Sequence, residues 1–118
     1  MMECIDQIDN VYESMNINSS IVVCETSLEL AYIVDELESK SYPCIFPSST
    51  KKESLDIMPN KLFVCTTKEF NSNEFWEILN DYDIDCFFFI GQKVFLECIQ
   101  CIEKTQIKCN RRQFIFTF

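Results

Sequence analysis

Histidine is absent from this 118-residue chain, and glycine occurs once, at Gly91. Without histidine, the usual base for a serine or cysteine nucleophile and the commonest metal-binding side chain are both missing. With one glycine, neither common phosphate loop, G-x-x-x-x-G-K-S/T nor G-x-G-x-x-G, can be written. Basic residues are scarce as well: 10 Lys and Arg stand against 19 Asp and Glu, a net charge of −9. The acidic excess is spread along the chain and repels phosphate backbones, because nucleic-acid affinity comes largely from Lys and Arg displacing condensed counterions. Strong nucleic-acid binding by the chain itself is therefore not expected. Long apolar runs are missing too. The longest, Cys86 to Ile90, is strand-sized and far short of the roughly 18 residues of a bilayer span, so no membrane role is expected. Met1-Met2-Glu3-Cys4-Ile5-Asp6 carries neither a basic n-region nor a small-residue cleavage site, which argues against a secretory signal and for a cytosolic or nuclear setting.

What is present suits a packed domain. Apolar residues make up 47 % of the chain and 11 residues are Phe, which excludes a disordered composition. The length fits one domain over residues 1–118, with 1–15 as a docking helix. The eight cysteines lie largely inside apolar runs (Cys24 in IVVC, Cys44 in PCIF, Cys65 in LFVC, Cys86 in CFFF), where free cysteine behaves as a small hydrophobe. Cys98-x-x-Cys101 has helical spacing and lacks the second pair a zinc site needs, so it reads as packing. No metal and no cofactor is expected.

In chain order, Ile5, Ile8, Tyr12 and Met15 form the inner face of the first helix, with Cys4 and Val11 flanking it. Ile21 to Cys24 is apolar on both faces and reads as a central parallel strand. Thr26-x-x-Glu29 is a capping box for a helix to about Lys40, with Leu28, Ala31, Tyr32, Val34 and Leu37 facing inward. Tyr42 to Pro47, flanked by prolines, reads as an edge or near-edge strand, and Ser48 to Asn60 as a loop holding at most one helical turn. Lys61 to Thr66 is a third strand. Asn71 or Ser72 then caps a helix aligning Phe75, Ile78, Leu79 and Tyr82, with Trp76 beside them. Asp85 to Ile90 is a fourth strand. A helix from Lys93 to Lys104 packs through Val94, Phe95 or Leu96, Cys98, Cys101 and Ile102, and Gln113 to Phe118 is a fifth strand. This order predicts an α/β fold: a three-layer, doubly wound, mostly parallel five-stranded sheet.

Ligands of such sheets sit beyond the carboxyl ends of the strands. Here those ends are Cys24-Glu25-Thr26, Pro47-Ser48-Ser49, Thr66-Thr67-Lys68 and Gly91-Gln92-Lys93, where Ser and Thr more often cap helices than hold phosphate. Cys24 and Cys65 are the two thiols with a helix start beside them, which leaves a small cytosolic thiol-dependent enzyme as an alternative. Asp81, Asp83 and Asp85 precede a strand, on the wrong edge of the sheet for a paired-carboxylate mechanism, and read as a solvated turn.

The segment order, over about residues 1–118, resembles the C-terminal RecA-like lobe of DEAD-box and other superfamily 2 helicases. Ile21 to Thr26 is similar to that lobe's I-V-F-x-x-T strand and Leu62 to Thr67 to its I-L-V-A-T-D strand. Asp85 to Ile90 and Gln113 to Phe118 stand where the lobe has its V-I-N-Y and A-I-x-F strands. The positions this resemblance singles out are Cys24, Glu25, Thr26, Cys65, Thr66 and Thr67. The chain departs from the family where chemistry is done: Thr67 stands in place of the aspartate, the R-G-x-D run is absent, and Arg111 and Arg112 lack the glycines and histidine of the arginine-finger segment. The resemblance thus implies a degenerate, non-catalytic RecA-like or Rossmann-like lobe that acts through protein contacts. Such helicase-like domains are known in Tudor-domain proteins of the piRNA pathway, and a resemblance to them implies self-association or assembly of an RNA-silencing complex in a cytoplasmic ribonucleoprotein granule. A viral accessory α/β protein and an RNA-binding lobe compete with this reading. The sheet edges and Phe87, Phe89, Phe116 and Phe118 are candidate contact residues.

Overall fold

The computed structural model describes residues 2–14, 19–47, 61–79, 82, 84–105 and 109–118. Its elements are α1 (Met2–Ser14), β1 (Ser19–Cys24), α2 (Ser27–Ser39), β2 (Cys44–Ile45), β3 (Lys61–Thr66), α3 (Thr67–Phe70), α4 (Asn73–Leu79), β4 (Ile84–Phe89), α5 (Gln92–Thr105) and β5 (Cys109–Thr117). The strands lie in the order β2-β3-β1-β4-β5, and every neighbouring pair is parallel. The opening apolar strand is therefore central, and the proline-flanked one is a two-residue edge strand.

Alternation along the strands splits the core in two. Val22, Cys24, Val64, Cys86 and Phe88 face Ile5, Ile8 and Val11 of α1 and Leu30, Ile33 and Leu37 of α2. Ile21, Val23, Phe63, Cys65, Phe87 and Phe89 face Phe70, Phe75, Leu79, Val94 and Cys98. Helices thus cover both faces, which explains why these parallel strands read as unbroken apolar runs. α2 carries the chain from β1 to the β2 edge on one face, and α3, α4 and α5 carry it the opposite way on the other. Opposite directions on opposite faces are what a single crossover hand requires.

Several sequence expectations are corrected. In α2 the inner stripe is Leu30, Ile33 and Leu37, whereas Leu28 is 83 % exposed and Tyr32 46 % exposed. Ala31 is exposed as well. In α1 it is Val11 that joins Ile5 and Ile8 in the core. Tyr12 packs against the same core as expected, half-buried, and its hydroxyl shares a 2.6 Å hydrogen bond with the buried Ser20. In α5 the open choice resolves to Phe95, with Leu96 60 % exposed. Asp85 is no solvated turn residue; it lies inside β4, almost fully buried, at an irregularity in the β4–β5 pairing. Phe87 and Phe89 are fully buried and so are not contact residues. Met15, Ser48 to Asn60, Asp81 and Asp83 lie outside the described residues.

The helix α3 is an addition to the expected elements. Thr66 to Glu69 forms a complete capping box in which the Thr66 side chain accepts from the Glu69 amide at 3.4 Å and Glu69 Oε1 accepts from the Thr66 amide at 3.2 Å. It starts this four-residue helix directly on the end of β3. Ser72 then accepts from the Phe75 amide at 3.3 Å, so it is Ser72 that caps α4.

Candidate functional site

β1 feeds a helix on one face, while both of its neighbours, β3 and β4, feed helices on the other. The two crevices flanking the end of β1 are therefore the switch points at which a parallel sheet holds ligands. All six residues singled out in the sequence come to this rim, because β1 and β3 run in register with Val23 opposite Cys65 and Cys24 opposite Thr66.

The protein's own groups reach across both crevices. Toward β3, the buried Thr67 hydroxyl donates to the Cys24 carbonyl at 3.2 Å. Toward β4, Lys93 Nζ donates to Glu25 Oε1 at 2.7 Å and lies 4.0 Å from Glu97. The hydrogen bond from Lys93 to Glu25, followed by the two carboxylate charges, holds the ammonium above its ordinary pKa. Thr26 is the N-cap of α2, accepting from the Glu29 amide at 3.2 Å, which forms half of the expected box. Thr66 is spent on α3 in the same way. Lys68 is the exposed base on the β3 side of the rim.

The two cysteines point to opposite sides of the sheet, Cys24 into the α1–α2 layer and Cys65 into the α3–α5 layer. Each is fully inaccessible to solvent. Burial, reinforced by the Glu69 carboxylate, pushes the Cys65 thiol well above its ordinary pKa. The helix start beside it does not produce a thiolate, because burial, and after it the Glu69 carboxylate, disfavours the charged form. Cys98 and Cys101 sit one turn apart on α5, Cys98 in the core and Cys101 donating from Sγ to the Phe70 carbonyl at 3.5 Å. Among the described residues no group of three or more acidic or cysteine side chains is placed to hold a metal ion. Nor is any described helix long and apolar enough to cross a membrane.

Gly91 marks the exit of β4. Its φ of +109° is a conformation that side chains rarely adopt, and its amide donates to the Phe89 carbonyl at 3.1 Å. The one glycine therefore makes a tight turn from sheet to helix. The Thr66–Glu69 box was missed in the sequence although its T-x-x-E spacing signals it. The Glu25–Lys93 pair has no such signal, since its partners are 68 residues apart. No protein-family model, no curated protein and no solved structure matches this chain.

Proposed function

We propose that this chain is a cytoplasmic, non-catalytic protein-interaction module that assembles complexes through protein contacts, self-association included. The observation that carries this reading is the open edge of the sheet. β5 is nine residues long and ends the strand order, so its outer edge pairs with no other described strand. An edge of that length presents a row of backbone donors and acceptors to a strand of another chain. Ile115, midway along its second half, is 41 % exposed. The rim supports the same reading from the other side: Thr26, Thr66, Thr67, Glu25 and Lys93 are committed to caps, a hydrogen bond and an ion pair. The resemblance to the helicase C-terminal lobe adds a framework, a RecA-like lobe turned to assembly of an RNA-silencing complex. It rests on the succession of strands and on the strand-end positions Cys24 to Thr26 and Cys65 to Thr67.

Sedimentation equilibrium over a hundredfold concentration range tests it. The expected result is concentration-dependent association that Ile115→Lys shifts toward monomer, because a charge on an edge strand blocks strand addition. A strict monomer at every concentration overturns self-association, and association untouched by Ile115→Lys overturns the edge as its route.

A further inference from the structure

We propose that the outward face of α2 docks a basic amphipathic helix of a partner protein. The inference rests on the interaction-module reading and names one partner surface for it.

Helix geometry sets Leu28, Tyr32, Asp35 and Glu38 on the side of α2 opposite its core stripe. All four are exposed, Leu28 at 83 % and Tyr32 at 46 %. Among the described residues four large hydrophobic side chains are exposed, and two of them are this pair, one turn apart. A lone exposed leucine needs no explanation, whereas two large apolar side chains adjacent on one helix form an anchor point.

Charge selects the occupant. α2 contains Glu29, Asp35, Glu36 and Glu38 and no base, and α1, packed in the same layer, is equally acidic and equally without a base. Lys40, at the end of α2, is drawn to α1, 3.5 Å from Asp6 and 3.9 Å from Asp9. Among the described residues the opposite layer carries Lys68 and Lys93 among its acids, so their charge is lopsided. Nucleic acid and anionic membrane are repelled by such a face. A second copy laid α2 against α2 would oppose like charges. What fits is a helix with apolar residues at i and i+4 over Leu28 and Tyr32 and with Lys or Arg flanking them. From Leu28 to Glu38 the face is about 15 Å long, so roughly three turns of partner helix cover it. At its far end an open hollow of about 330 Å³, lined by Glu38, Ser41, Pro43 and Cys44, can take a long basic side chain beside the Glu38 carboxylate.

The probe is a fluorescein-labelled Leu/Lys amphipathic peptide of about 14 residues, read by anisotropy at low and at physiological salt. Its controls are a scrambled peptide of the same composition and a Leu/Glu peptide of the same pattern. Expected are binding of the Leu/Lys peptide alone, amide shifts centred on α2, and a loss of roughly tenfold or more in affinity with Leu28→Ser and with Asp35→Lys/Glu38→Lys. These positions are exposed, so the variants fold, which circular dichroism checks. Equal binding of the scrambled peptide, an unchanged affinity for Leu28→Ser, or no binding at low salt overturns the proposal. Sedimentation of Leu28→Ser separates it from the broader reading: self-association that persists in this variant leaves the module standing while the α2 surface stands or falls on the peptide.

Discussion

Unfolding free energy is expected to stay level to about pH 8, to bend downward through pH 9, and above about pH 9.5 to fall by roughly 4–5 kcal/mol for each further pH unit. The cause is a set of four thiols, Cys65, Cys86 and Cys98 buried and Cys44 half-buried. Burial, helped by nearby acidic or thiol groups, pushes Cys44, Cys86 and Cys98 up from 9.0 to about 12, and Cys65 well above 9.0. A group whose folded pKa is raised gives its full stabilisation below the unfolded value and loses it as pH climbs toward the folded value. The window therefore runs from pH 9 to about 12 for these thiols. In that window the unfolded chain ionises while the folded one cannot, at about 1.4 kcal/mol per thiol per pH unit. Tyr42 acts in the same direction from pH 10, since its hydrogen bond to Asp9 holds the phenol up to about 12. Against a typical total of about 5–15 kcal/mol, half the molecules unfold by about pH 11. Urea midpoints measured under reducing conditions from pH 8 to 11 check this. Cys98→Ala is expected to reduce the slope by about a quarter. A midpoint unchanged to pH 10.5 would mean that the thiols meet water in the folded state.

Phe70→Ala is expected to cost about 3–5 kcal/mol, the range for removing a fully buried aromatic side chain. Phe70 is the last residue of the four-residue helix α3 and is completely buried. Its ring lies 5.0 Å from Trp76, 5.9 Å from Phe89, 6.2 Å from Phe75 and 6.3 Å from Phe87, with edge-on contacts to all but Phe75. Its carbonyl accepts from Trp76 Nε1 at 2.6 Å, so the same residue fixes the indole. Trp76 is the one tryptophan in the chain, and its fluorescence reports directly on this cluster. The expected outcome is a lower urea midpoint together with a red-shifted native emission. A loss under about 1 kcal/mol would mean that the helices of this layer close over the vacancy, and that Phe70 does not anchor them.

The strands were legible in the sequence because parallel strands buried on both faces leave nothing polar to interrupt them. Ile21 to Cys24, Lys61 to Thr66 and Cys86 to Phe89 announce themselves in this way. The phase of α2 was not, because the helix has apolar residues all round. Both Leu28-Ala31-Tyr32 and Leu30-Ile33-Leu37 make helical stripes, and only the second is buried. Asp35 was the available signal, since it interrupts the first stripe and leaves the second unbroken. The buried Asp85 reads as a turn residue in the sequence because its neighbours Asp81 and Asp83 make the segment look polar. The strand-end rim follows from the succession of elements, yet the contacts across it, Glu25 with Lys93 and Thr67 with the Cys24 carbonyl, do not. Those contacts arise from strand order, which local pattern does not encode.

The central claim is that this rim is spent on structure and does no thiol chemistry. Its most direct test is cysteine-resolved alkylation of the native protein at neutral pH, followed by mass spectrometry. The expected result is that Cys24 and Cys65 are modified only as fast as the chain unfolds, and that Cys101 and Cys44, which are partly exposed, react sooner but no faster than a free thiol. Preferential native-state labelling of Cys24 or Cys65, at a rate above that of a free thiol, would contradict the claim and turn the rim back into an active site.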